Sequence, residues 1–210
     1  MQVKVINESG LEAALFGLGL SYGKTSGMSL DDLETENGEP VAESLSLVAL
    51  KLASKGLAHN KFLRQIQVVL DITAPLYWWK QMDTYKIGTV AQSESTMHTI
   101  MKKRFDVEDF EFDDTDPPFV HKVIRYLNDL RLSYQSAKEG GTLRHAIWRK
   151  IIQSLPESYL QRRIVTCNYE VLRCIFKQRK GHKLAEWQTF IDEVYKQLKR
   201  PEFVSDIYYA

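Results

Sequence analysis

Cysteine is almost absent from this chain of 210 residues, which contains only Cys167 and Cys174. Read on one helix, the two lie about 10 Å apart along its axis, too far for a disulfide. Both are expected as core thiols. The chain offers neither a disulfide framework nor a Cys/His cluster, which argues against a secreted disulfide scaffold and a structural zinc, and the cytoplasm is the expected compartment. Long apolar runs are also missing. Leu11 to Leu20 is broken by Glu12, Gly17 and Gly19, and it follows Glu8 without the basic lead-in of a signal peptide. No run approaches the roughly 20 apolar residues that a membrane span needs.

Net charge is nearly absent as well, at +1, but its distribution is not even. Asp106 to Asp116 carries seven acids in eleven positions, whereas Leu143 to Lys183 carries ten lysines and arginines against only Glu157 and Glu170. The acidic stretch lacks the ligand spacing and central glycine of a calcium loop and is expected as a solvent loop. The basic stretch favours anions such as nucleotide phosphates, a flavin pyrophosphate or nucleic acid.

With 44% hydrophobic and 26% charged residues the chain can bury one sizeable core, so a single domain over residues 1–210 is the default. Val3 and Val5 alternate with polar neighbours and predict a first strand, followed by a helix from Leu11. Thr25 to Pro40 reads as an exposed loop, and Val41 to Leu57 as a helix. Ile66 to Ile72 is a short β-branched run fit for a buried strand, and Pro75 both ends it and opens a helix at Leu76. Apolar residues at helical spacing follow Phe119. After Pro156, Leu160, Ile164, Cys167, Val171 and Ile175 mark a further helical stripe, and Leu184 to Leu198 marks another. Few strands and several long helices predict an α/β (α+β) fold, a small sheet with several long helices.

Three constellations could carry chemistry. Asp71 to Lys86 gathers Trp78, Trp79, Gln81 and Lys86 directly after the predicted strand, as a pocket for a planar ligand would, although core packing explains the tryptophans equally well. Thr89 to His98 clusters hydroxyls around Glu94, suited to sugar and phosphate oxygens, with capping by Ser93 or Ser95 as the alternative. On a continuous helix after Pro156, Asn168 and Arg179 would share a face about three turns apart, and the Arg179 fork suits a phosphate, a carboxylate or a pyrimidine edge.

In order and approximate spacing, His59, the strand Ile66 to Ile72, Gln81, Ser93-Glu94-Ser95, Leu155-Pro156, Asn168 and Arg179 resemble the flavin-dependent thymidylate synthases. That resemblance implies FAD held by His59, Lys86 and Asn168. It also implies a pyrimidine deoxynucleotide bound by Gln81, Glu94, Ser95 and Arg179, with Arg179 as the catalytic residue at the ring. It further implies methylenetetrahydrofolate as carbon donor, NADPH as reductant, and a homotetramer with sites between subunits. The family's Arg-His-Arg signature stands here as Thr84-Tyr85-Lys86, so Lys86 supplies a point charge in place of a bidentate fork. Two other classes stay open: a non-catalytic nucleotide-binding or interaction module of the same fold, and a nucleic-acid-binding surface over Leu143 to Lys183.

Overall fold

The computed structural model describes residues 1–34, 39–56, 58–113 and 117–205. The chain opens with strand β1 (Gln2–Ser9), helix α1 (Leu11–Ser21) and helix α2 (Glu39–Ala53). Strand β2 (Gln67–Pro75), helix α3 (Leu76–Met82), strand β3 (Val90–Ser93) and the short helix α4 (Thr96–Thr99) follow. Helices α5 (Pro117–Ser136) and α6 (Thr142–Ser154) precede strand β4 (Leu160–Asn168), helix α7 (Tyr169–Arg179) and helix α8 (Ala185–Gln197). The four strands form one antiparallel sheet in the order β1-β2-β4-β3. A small sheet with eight helices among the described residues is the α+β architecture expected.

The sheet's central strand β2 follows its sequence closely. Val68, Leu70, Ile72 and Ala74 are all buried while Gln67, Val69, Asp71 and Thr73 are only half-buried, the period of two that a strand with one core face imposes. Pro75 then takes an extended φ of −69° and ψ of 152° as the N-cap of α3, so one residue ends the strand and starts the helix. Leu76 N–H to Tyr159 C=O at 3.1 Å, and Tyr169 N–H to Ile66 C=O at 3.1 Å, pin β2 against β4 at its two ends.

Strand β4 corrects an expectation. The residues from Leu160 to Asn168 match a helical apolar stripe, yet they form a strand, and the helix begins only at Tyr169. The reason lies in the inward positions. Gln161, Val165 and Cys167 are buried, and polar Gln161 there hides the alternation. Gln161 is affordable in the core because its Nε2 donates to Glu94 C=O at 2.9 Å and its Oε1 accepts from Arg163 Nε at 3.0 Å. The cysteines are corrected with it: Cys167 is a buried strand thiol, Cys174 on α7 is exposed, and both are free.

The described residues fall into two compact units. Unit 1 comprises Met1–Gln2, Ile72–Thr84 and Gln92–Arg163, and unit 2 comprises Val3–Asp71, Tyr85–Ala91 and Ile164–Ala210. In unit 1 the α5 and α6 hairpin buries Val120, Ile124, Leu127 and Ile151 with Ile100, Phe105, Phe110 and Tyr159. The acidic stretch is therefore not wholly a solvent loop. Phe110 bridges to Tyr159 as an isolated β-pair, and Asp106 and Asp109 form a capping box around a single turn, so the aromatics pack while the acids cap or face outward. Asp114 to Asp116, at the end of that stretch, lie outside the described residues.

Unit 2 packs α1 against α2 and α7 against α8, with Phe176, Trp187, Phe190 and Phe203 fully buried. Gly10 begins α1 at φ +84°, and an added Cβ would sit 2.4 Å from Gln65 C=O, so only glycine fits this entry turn. Thr25, expected as part of an exposed loop, is buried and donates its hydroxyl to Phe16 C=O at 3.1 Å. The rest of that loop from residue 35 to 38, and Leu57, lie outside the described residues. No helix among the described residues is long and apolar enough to cross a membrane.

Candidate functional site

The sequence-predicted residues divide between the units. Gln81, Glu94 and Ser95 belong to unit 1, and His59, Lys86, Asn168 and Arg179 to unit 2.

In unit 2, α7 organises the site. Asn168 is its N-cap: the side-chain Oδ1 accepts from Val171 N–H at 3.0 Å, which supplies one of the helix's missing acceptors. Arg179 is its last residue. The two therefore bracket one helix instead of sharing a face of a longer one. Along α7 runs the segment Tyr85 to Ala91. At one end the Tyr85 hydroxyl accepts from Arg179 Nε at 2.9 Å and donates to Gln178 Oε1 at 3.0 Å. At the other, Gly88 takes φ +75°, and a Cβ there would lie 3.2 Å from Asn168 Nδ2 and 3.1 Å from Val171. Close approach and left-handed backbone together demand glycine.

Arg179 also faces rings. Its guanidinium lies 4.7 Å from the centroid of buried Trp187 and 5.4 Å from that of Tyr85, and the two rings meet edge-on at 6.2 Å. His182 adds a further ring at 6.3 Å from Trp187. Burial raises the Tyr85 hydroxyl above the usual tyrosine value, with the Arg179 charge pulling the other way. The phenol therefore stays protonated and keeps both of its hydrogen bonds. Lys86, next in the chain, is exposed, as is His59, whose backbone N–H bonds Gly56 C=O at 3.0 Å. Glu170, in the first turn of α7, is bound by Arg64 through two nitrogens, at 2.5 and 3.2 Å.

In unit 1, Gln81 lies half-buried on α3, with its carbonyl accepting from the Thr84 hydroxyl at 2.7 Å. Glu94 follows β3, exposed, and its backbone N–H bonds Arg162 C=O at 2.9 Å. Ser95 stands at the N-cap of α4 but makes no side-chain cap bond, and Ser93 is an exposed strand residue, so neither acts as the capping serine that was the alternative. Trp78 and Trp79 are core residues, and Trp79 Nε1 donates to Gln161 C=O at 2.9 Å.

Several residues of this arrangement escape sequence reading. Trp187 was legible as core, but not as the surface on which Arg179 rests. Gln161 and Arg163 were not singled out. Gly88 had only the weak signal of an isolated glycine after Ile87.

A small four-stranded antiparallel sheet with eight helices among the described residues matches the fold of the flavin-dependent thymidylate synthases. Among solved structures, the chain is similar to flavin-dependent thymidylate synthase ThyX from Helicobacter pylori complexed with FAD and dUMP. The TM-score is 0.74 and the identity 13%, covering 98% of this chain and 99% of that one. A second structure of the H. pylori protein with FAD and dUMP gives a TM-score of 0.73 at 14% identity, covering 98% of each chain. No family model matches the chain, and no curated protein matches it.

Proposed function

We propose that this protein is a flavin-dependent methyltransferase acting at C5 of a pyrimidine deoxynucleotide, converting dUMP to dTMP or making a close variant of that product. The observation that carries the reading is the likeness in fold to proteins solved with FAD and dUMP over nearly the full length of both chains. The donor chemistry of unit 2 suits FAD. Exposed His59 and Lys86 offer hydrogen-bond donors to pyrophosphate oxygens, and the Asn168 carboxamide is oriented by its capping bond. When bound, FAD supplies the hydride, with NADPH as its reductant and methylenetetrahydrofolate as the carbon source.

The protein's own contribution is electrostatic. Arg179, oriented by the Tyr85 hydroxyl and resting on Trp187, presents fixed positive charge to a pyrimidine carbonyl and stabilises negative charge developing on the ring. Gln81 and Ser95 hydrogen-bond the nucleotide and its phosphate oxygens, and the Glu94 carboxylate accepts from a sugar hydroxyl. No thiol nucleophile is required, which agrees with Cys167: burial pushes its pKa up to about 12, so it is not a thiolate near neutral pH. The assembly is a cytoplasmic homotetramer of single-domain chains, and exposed Phe119 and Tyr126 on α5 offer apolar surface for subunit contacts. Light scattering should give four subunits.

The discriminating experiment is gel filtration of protein saturated with FAD. Flavin absorbance that travels with the protein supports the proposal. Colourless protein that still binds dUMP points to the non-catalytic module of the same fold, and colourless protein that binds neither overturns both readings.

A further inference from the structure

We infer that the α5 face of unit 1 carries an anion site for a condensed phosphate, the di- or triphosphate chain of a nucleotide or its inorganic equivalent. A groove of about 510 Å³ is lined there by Arg104, His121, Arg125, Asn128, Asp129 and Arg131. His121, Arg125 and Asp129 follow one another at four-residue spacing on one helix stripe, so their side chains share a face.

Arg104 is brought to the same groove from outside the helix by a reciprocal clip. Asn128 Oδ1 accepts from Phe105 N–H at 3.0 Å, and its Nδ2 donates to Phe105 C=O at 2.9 Å. Phe105 is buried and anchors the segment, leaving Arg104 exposed beside α5. A carboxamide spent wholly on the backbone next to an arginine fixes where that arginine can reach.

The groove is not electrically balanced. Three arginines face a single acid, Asp129, and among the described residues none of the three forms an ion pair within 4.0 Å. Arg131 Nε is buried without a hydrogen-bond partner, so part of that guanidinium is taken out of water and left uncompensated. Like charges gathered in one groove repel one another, and a compact polyanion relieves all three at once. A single phosphate would meet one or two of these forks. A chain of two or three phosphates matches three, and Asp129 suits a sugar hydroxyl more than a phosphate oxygen. The groove's size is that of a small-ligand site.

Calorimetric titration of the full chain with tripolyphosphate, and separately with a deoxynucleoside triphosphate, tests this at low and at physiological ionic strength. Saturable binding at one site is expected, weakened about tenfold or more by Arg125→Ala and by Arg104→Ala. Both arginines are exposed, so these variants fold. Arg131→Lys should weaken it less than Arg131→Ala, and Arg179→Ala should leave it unchanged, which separates this site from the proposed pyrimidine site. Tighter binding of the nucleotide than of tripolyphosphate assigns a nucleoside to the ligand, and equal binding assigns the phosphate chain alone. The inference is overturned by no saturable binding in the wild type. It is equally overturned by loss of binding in Arg179→Ala with retention in Arg125→Ala, or by binding of single-stranded DNA without tripolyphosphate binding.

Discussion

Each unit sets an arginine on a buried tryptophan, and the two pairs are held in different ways. In unit 1 the Arg163 guanidinium lies 4.2 Å from the Trp79 ring centroid, with Nη1 at 2.8 Å from Asp83 and Nε at 3.0 Å from Gln161. In unit 2 Arg179 lies 4.7 Å from Trp187, and its Nε goes to the neutral hydroxyl of Tyr85. A carboxylate compensates the first charge where it stands, so that arginine belongs to the architecture of β4. A phenol orients the second through its Nε, and the guanidinium stands over the Tyr85 and Trp187 rings, a fixed orientation that in our reading suits a group acting on a bound ring. The same stacking motif thus serves packing in one place and, in our reading, chemistry in the other.

Removing the shared element should produce the largest effect. Trp79→Ala and Trp187→Ala each empty a fully packed position and should cost about 3–5 kcal/mol in chemical denaturation. If either costs under ~1 kcal/mol, the tryptophan beneath that arginine is not the platform described.

Removing the arginines should then separate the pairs. Arg179→Ala should lower dUMP affinity by roughly 1.5–3 kcal/mol, tenfold or more, with a stability loss of only about 1 kcal/mol. Arg179→Lys should restore part of the binding, because an ammonium lacks the planar fork. Arg163→Ala should do the reverse in unit 1, costing about 1–2 kcal/mol of stability through the stranded Asp83 and the uncovered Trp79. Calorimetry and denaturation of the same three proteins decide it, and identical profiles for Arg163→Ala and Arg179→Ala would erase the distinction.

A smaller effect is expected at Gly88. Gly88→Ala adds a Cβ against Asn168 and Val171 at φ +75°, which should cost about 1–3 kcal/mol. Gly56, at φ +89° with nothing within 4 Å of an added Cβ, provides the control for backbone strain alone. A larger loss for Gly88→Ala than for Gly56→Ala, with weakened dUMP binding, would tie the Tyr85 segment to α7. Equal losses would detach it.

The smallest effect distinguishes the tyrosines. Burial pushes Tyr159 in unit 1 from 10.0 up to about 12, with the Glu94 and Asp109 carboxylates adding to the rise. A phenol whose folded value is raised contributes stability that is fully present below pH 10 and lost as pH climbs from 10 towards 12. Tyr159→Phe should make the alkaline limb of the stability profile less steep, with Cys167 and Tyr169, both raised by burial, keeping the rest of it. Tyr85→Phe should change it less, because the Arg179 charge opposes the effect of burial there.

How much of this was legible depended on whether polar residues stood where the period needed apolar ones. The junction at Pro75 was readable because a short β-branched run precedes it and proline punctuates it. Strand β4 was not, because Gln161 occupies an inward position, and its carboxamide nitrogen is satisfied by the Glu94 carbonyl, 67 positions away. The candidate site shows the same limit. The order of His59, Gln81, Glu94, Asn168 and Arg179 could be read along the chain, but the contact of Tyr85 with Arg179 joins residues 94 positions apart. The Arg131 groove left only the four-residue spacing of His121, Arg125 and Asp129, since Arg104 arrives from outside the helix through a backbone clip.

The most direct test of the central claim is turnover. Protein supplied with FAD, NADPH, methylenetetrahydrofolate and dUMP should form dTMP, or a C5-modified analogue, detected by mass spectrometry, and Arg179→Ala should suppress it while Arg125→Ala does not. Flavin-loaded, folded wild-type protein that yields no C5-modified product from dUMP or dCMP would contradict the account.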